Sequence, residues 1–146
     1  MRIVVTGGAG FIGHNVVRQL EQLGHECFVL DSVTNYGFVP QAELDYLSAE
    51  RNNRMRANVH YVDIREHERV NAFFLNFGFK ADAVIHLASF PRQKVVGANP
   101  VWGSEVMSTG LVNLLELTKL FRVPKFVYIS SSMVYGDFID DVTEDC

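Results

Sequence analysis

Short apolar runs rich in β-branched residues alternate along this chain with longer stretches whose apolar residues recur at helical spacing. Residues 2–6, 26–30, 59–62, 83–87 and 125–129 read as strands, the second ended by Asp31. Residues 11–23 read as a helix, with Ile12, Val16, Leu20 and Leu23 on one stripe. Gly24 follows as its C-terminal glycine. Residues 41–51 suit a short polar helix held by Leu44 and Leu47. Residues 66–77 suit another, with Val70, Phe73, Phe74 and Phe77 inward. The segment from the fourth strand to Asn99 reads as a loop. Pro100 then opens a helix that runs to about Phe121. The serine run Ser130 to Ser132 follows the fifth strand.

Strands alternating with helices imply parallel βαβ units and a doubly wound α/β sheet. Strands apolar along their whole length are expected where helices cover both faces. The crossovers should be right-handed. Residues 1–146 form one expected domain, with no repeat and no linker.

Composition narrows the classes. With 48% hydrophobic and 21% charged residues the chain is an ordinary globular sequence. A formal charge of -4 offers no footprint for nucleic acid. Arg51, Arg54 and Arg56 form a local basic run that reads as a solvated face. The two cysteines, Cys27 and Cys146, make no disulfide framework and fit a reducing compartment. The apolar start, Ile3 to Val5, is too short for a signal peptide, and no stretch has the length of a membrane span. A soluble, cytoplasmic protein is expected.

The candidate chemistry begins at Thr6-Gly7-Gly8-Ala9-Gly10-Phe11-Ile12-Gly13. Gly7, Gly10 and Gly13 lie between an expected strand and an expected helix. One glycine serves the tight turn, one the close approach of a pyrophosphate, one the packing of helix on strand. The phosphates would sit at the helix N-terminus, where unpaired N–H groups and the dipole attract anions. A plain strand-to-helix turn is the alternative, though it needs fewer glycines. Asp31 stands roughly 20 residues beyond, where a carboxylate accepts both ribose hydroxyls of NAD and repels the 2′-phosphate of NADP. A turn-forming Asp is its other reading. Ser32, Val33 and Thr34 follow it, with no arginine, which favours NAD. Together these mark a Rossmann-type dinucleotide-binding domain.

With the loop and Asp31, three further stretches resemble the extended short-chain dehydrogenase/reductase family, and within it the nucleotide-sugar epimerases and dehydratases of the UDP-glucose 4-epimerase type. They are Val62-Asp63-Ile64-Arg65, His86-Leu87-Ala88-Ser89 and Ser130-Ser131-Ser132-Met133-Val134-Tyr135-Gly136. Asn113-Leu114-Leu115-Glu116 is similar to the family's fourth long helix. The resemblance implies that Phe11 and Ile12 belong to the cofactor-binding residues with the glycines. It implies that Asp63 bonds the adenine amino group with Ile64 beside the ring. Leu87, Ala88 and Ser89 would line the cofactor, and Ser131 would be the catalytic serine, bonded to the sugar hydroxyl being oxidised. Read without the family, Asp63 ends a strand at the ligand-binding edge or caps the next helix, and Ser131 is a loop serine. His86 and His14 read as structural.

The family's base is a Tyr-x-x-x-Lys pair some twenty-odd residues after the serine motif. Tyr135 is not it, because position 139 is Ile139. Position 146 comes first, so the resemblance covers the N-terminal portion of such an enzyme, without its substrate domain, and implies an incomplete C-terminal end of the sheet and an inactive fragment. Two departures fall on the nicotinamide side. Met107 stands where the family often has asparagine, and Pro91 where it often has lysine, with Arg92 and Lys94 nearby. Expected partners are a nucleotide-sugar substrate in the intact enzyme and a second copy packed on the helix from Val101 to Phe121, with neither nucleic acid nor membrane. Two other functions fit the same residues: a non-catalytic dinucleotide-binding module or redox sensor, and an NAD-dependent reductase of a non-sugar substrate.

Overall fold

The computed structural model describes residues 1–76, 80–90 and 93–136. Five strands form one parallel sheet: β1 (Arg2–Thr6), β2 (Glu26–Asp31), β3 (Val59–Tyr61), β4 (Ala83–His86) and β5 (Phe126–Tyr128). Their spatial order is β3-β2-β1-β4-β5, so the first strand lies at the centre. The order reverses there, because β2 and β3 lie on one side of β1 and β4 and β5 on the other.

The pleat divides the core in two. Val4, Leu30 and Val84 point to one face and pack with Val70, Phe73, Phe74, Leu114 and Leu117. These helical residues come from α3 (His67–Asn76) and α6 (Gly110–Leu120). Ile3, Val5, Val29 and Ala83 point to the other face and meet Val17 of α1 (Phe11–Gln22). Burying each such Leu, Val or Phe stabilises the fold by about 1.5–3 kcal/mol. Phe77, expected inward on α3, lies outside the described residues, as does Cys146.

Four details differ from expectation. On α1 the buried residues are Gly13, His14 and Val17, whereas Ile12 and Leu23 are exposed. The helix is turned so that Gly13 meets the glycine loop, and a glycine contributes nothing to an apolar count. α2 (Gln41–Arg54) runs three residues beyond Arg51. The expected loop before Asn99 contains α4 (Gln93–Ala98). The helix opened by Pro100 is α5 (Pro100–Ser104), joined to α6 through a π-turn at Glu105–Thr109.

β5 also departs from the two-sided burial expected of parallel strands. Val127 and Tyr128 are 45% and 50% exposed. Cys27 is buried, and burial, then the Glu21 charge, push its thiol up to about 11, which makes it inert. Among the described residues, no helix is long and apolar enough to cross a membrane.

Candidate functional site

One row of residues runs across the sheet in register. Thr6 is level with Leu30 and His86, Leu30 with His60, and His86 with Tyr128. Because all strands are parallel, whatever follows each member of the row emerges at one edge. Gly7, Asp31, Asp63, Leu87 and Ser131 therefore come to the same side of the molecule from five separate stretches of sequence.

The glycine loop is shaped by contacts that exclude side chains. Gly7 has φ +69°, and a Cβ there would fall 2.6 Å from the Ala88 nitrogen. Its amide donates to the Leu30 carbonyl at 2.8 Å, and its carbonyl accepts the Gly10 amide at 3.1 Å. A Cβ at Gly13 would run into the Gly7 carbonyl oxygen. Gly8, not singled out from spacing, is needed as well, since a Cβ there would lie 2.9 Å from Val29. Gly10 is the N-cap of α1 and offers no side chain to its first-turn amides. Phe11, Ile12 and Gly13 thus carry N–H groups without helical partners. Phe11 and Ile12 are exposed at 62% and 63%.

Asp31 is fastened to this loop. One carboxylate oxygen accepts the Ala9 amide at 2.9 Å, the other the Val33 amide at 2.7 Å. An ionised carboxylate accepts about four hydrogen bonds, so two places remain for hydroxyl donors. Arg51 departs from the solvated face expected of it. Its Nε donates to the Ala9 carbonyl at 2.6 Å. No spacing rule could have found this pair, because α2 brings it together across 42 residues.

Asp63 sits two residues past the end of β3, under strong local control. Burial works to raise its carboxyl pKa, but hydrogen bonds and charge from Arg65 outweigh it and hold it below the usual value. Arg65 donates to Asp63 at 2.7 Å and to Glu105 at 3.0 Å. The side chain of Ile64 is buried in the core, against Gly110. Buried Asn113 donates to the Ile64 and Arg65 carbonyls at 2.9 and 3.0 Å, which fixes this corner to α6. Tyr36, from the loop after β2, packs on Phe90 with centroids 4.1 Å apart.

At the end of β4, Leu87 donates to the Thr6 carbonyl at 3.0 Å, and the Ala88 amide reaches the Thr6 hydroxyl at 3.4 Å. That hydroxyl also meets His86 Nδ1 at 2.6 Å. His86 is buried, and its pKa falls to about 4 for that reason. Ser89 is exposed beyond. Ser131 is exposed past β5, with its carbonyl accepting the Val134 amide at 3.2 Å. It lies two strands from the glycine loop, roughly 10 Å away at the usual strand spacing. Met107 is in the π-turn, and Lys94 is exposed on α4. Pro91 and Arg92 lie outside the described residues. The arrangement offers amide donors to an anion at α1, carboxylates to hydroxyl or amino donors at β2 and β3, and a hydroxyl-bearing residue at β5.

Known proteins share this sequence and this arrangement. The model of the NAD dependent epimerase/dehydratase family matches residues 3–146. The chain is 34% identical over 137 residues to UDP-glucose 4-epimerase 2 of Arabidopsis thaliana, covering 92% of itself and 37% of that protein. It is also 34% identical over 137 residues to the bifunctional protein GAL10 of Kluyveromyces lactis, covering 92% of itself and 18% of that protein. The crystal structure of the Thermus thermophilus UDP-glucose 4-epimerase complex with NAD matches with a TM-score of 0.71 and 34% identity. There the chain is covered over 90% of its length and the other over 38%. The chain thus spans less than two fifths of the length of these relatives. On a match that runs from the first strand to the last residue, the chain belongs to the NAD dependent epimerase/dehydratase family.

Proposed function

We propose that this chain is the NAD-binding portion of a nucleotide-sugar epimerase or dehydratase. The observation that carries the reading is the glycine loop at the start of α1, closed to any side chain at Gly7 and Gly13 and tied to the carboxylate of Asp31. The Phe11, Ile12 and Gly13 amides would hold the diphosphate. Asp31 would accept the adenosine ribose hydroxyls at its two remaining positions, and a 2′-phosphate there would meet its negative charge. Asp63 would accept the adenine amino group beside its Arg65 bonds, with the Ile64 backbone along the ring. Leu87, Ala88 and Ser89 would line the path to the nicotinamide.

Bound NAD supplies a hydride acceptor for the carbon bearing a sugar hydroxyl. Ser131 would hold the proton of that hydroxyl by hydrogen bonding and so orient it. None of the five tyrosines is followed four residues later by lysine, so the chain has no tyrosine of the family's basic type. We therefore expect the 146-residue chain to bind cofactor without turning over a UDP-sugar. The relatives' names make UDP-glucose the substrate to try. A reducing, cytoplasmic setting and pairing of two copies through α5 and α6 belong to the same reading.

Calorimetric titration with NAD and NADP tests it. NAD should bind, and NADP at least tenfold more weakly. Equal affinities would refute the role of Asp31, and binding of neither would overturn the cofactor reading. A second reading, a non-catalytic dinucleotide-binding module, would need the same loop, since fold does not fix function. Mixing the chain with a polypeptide that carries a Tyr-x-x-x-Lys segment of the family separates the two, since only the first predicts epimerisation.

A further inference from the structure

Ala9 is fully buried within the glycine loop, and both of its polar groups are engaged. Its amide goes to Asp31 at the end of β2, its carbonyl to Arg51 on α2. The peptide that follows Ala9 carries the Gly10 amide, which donates to the Gly7 carbonyl. Arg51 therefore holds one side of that peptide and Gly7 the other. Only the Gly10–Phe11 peptide separates it from the helix, so its plane helps to set how Gly10, the N-cap, turns the chain into α1. The same helix approaches a second time, because Glu50 comes within 4.0 Å of His14 Nε2 and binds Arg54 at 3.1 Å. His14 in turn donates from Nδ1 to the Gly10 carbonyl at 2.9 Å.

We propose that Arg51 is a positioning residue of the dinucleotide site, which keeps the Ala9–Gly10 peptide in the orientation that receives a diphosphate. The proposal rests on the cofactor reading above and adds to it a residue from outside the glycine motif. Arg51 acts through the loop: its Nε bond to the Ala9 carbonyl fixes the peptide that leads into the helix. A flat guanidinium suits a fixed hydrogen bond to a carbonyl, and a lysine can replace the charge and the donor with a looser geometry.

The test compares Arg51→Met and Arg51→Lys with the unmodified 146-residue chain. Calorimetry follows NAD and ADP, NMR titration follows adenosine, and amide exchange follows Gly10 without any ligand. Arg51→Met should weaken NAD and ADP at least tenfold, leave adenosine within twofold, and speed exchange of the Gly10 amide. Arg51→Lys should recover most of the lost affinity. Equal losses for ADP and adenosine, unchanged Gly10 exchange, or no recovery with lysine would each overturn the role. If the unmodified chain binds neither NAD nor ADP, the cofactor reading falls instead. The Gly10 exchange rates then still decide whether Arg51 holds the turn.

Discussion

Gly13 shows how much of this site depends on the absence of atoms. Alanine is a better helix former by about 1 kcal/mol, yet its methyl group would collide with the Gly7 carbonyl. Gly13→Ala should therefore lower stability by about 1–3 kcal/mol, as overpacking does. Urea unfolding measures this, and NAD titration should show binding lost as the loop shifts. His86 makes a second prediction. Its folded pKa is about 4 because it is buried, against 6.5 for the ordinary side chain. Between those values the unfolded chain takes up the proton first, so stability falls as pH drops from about 6.5 to about 4. The loss should approach about 3 kcal/mol, and His86→Gln should remove it. Denaturation at pH 7 and pH 4.5 gives both numbers. The meeting of Gly7, Gly10, Gly13 and Asp31 at one turn was legible in the sequence because it follows from spacing along one βαβ unit. Arg51 and Tyr36 were not, because their partners are set by tertiary packing.

At the level of elements, the strands were read to within a residue or two, since apolar β-branched runs mark them directly. The helices were harder. α1 is positioned by a glycine and a buried histidine, neither of which counts in an apolar stripe. α4 was hidden in a segment whose Pro91 and Gly97 suggested a loop. The π-turn leaves no compositional mark. α6 is held against the segment after β3 by polar means, through Asn113, as well as by Gly110 against Ile64. Replacing Asn113 by leucine leaves the Ile64 and Arg65 carbonyls without their donor in a buried corner. This should cost about 1–3 kcal/mol, measured by thermal or urea unfolding. The loss should exceed that of a substitution at exposed Glu116, one helical turn away.

The whole molecule carries apolar surface that its own elements leave uncovered. Val112 and Leu115 on α6, and Trp102 on α5, are each at least 45% exposed. The proposed pairing of two copies predicts association in sedimentation velocity, weakened by Val112→Glu with unchanged far-UV dichroism. A monomer at all concentrations would remove that proposal and leave the cofactor site untouched. The sheet order has a further meaning for how the chain acquires its shape. β1, the central strand, precedes its partners in the chain, and its partner on one side, β4, lies 80 residues later. During translation β1 can pair with β2 early, but its other edge stays open until residue 86 has left the ribosome. Every pairing in the sheet is non-local, which places refolding on the slow side for a domain of this length. The floor of the cofactor loop, where Ala88 closes against Gly7, can form only after β4 has emerged.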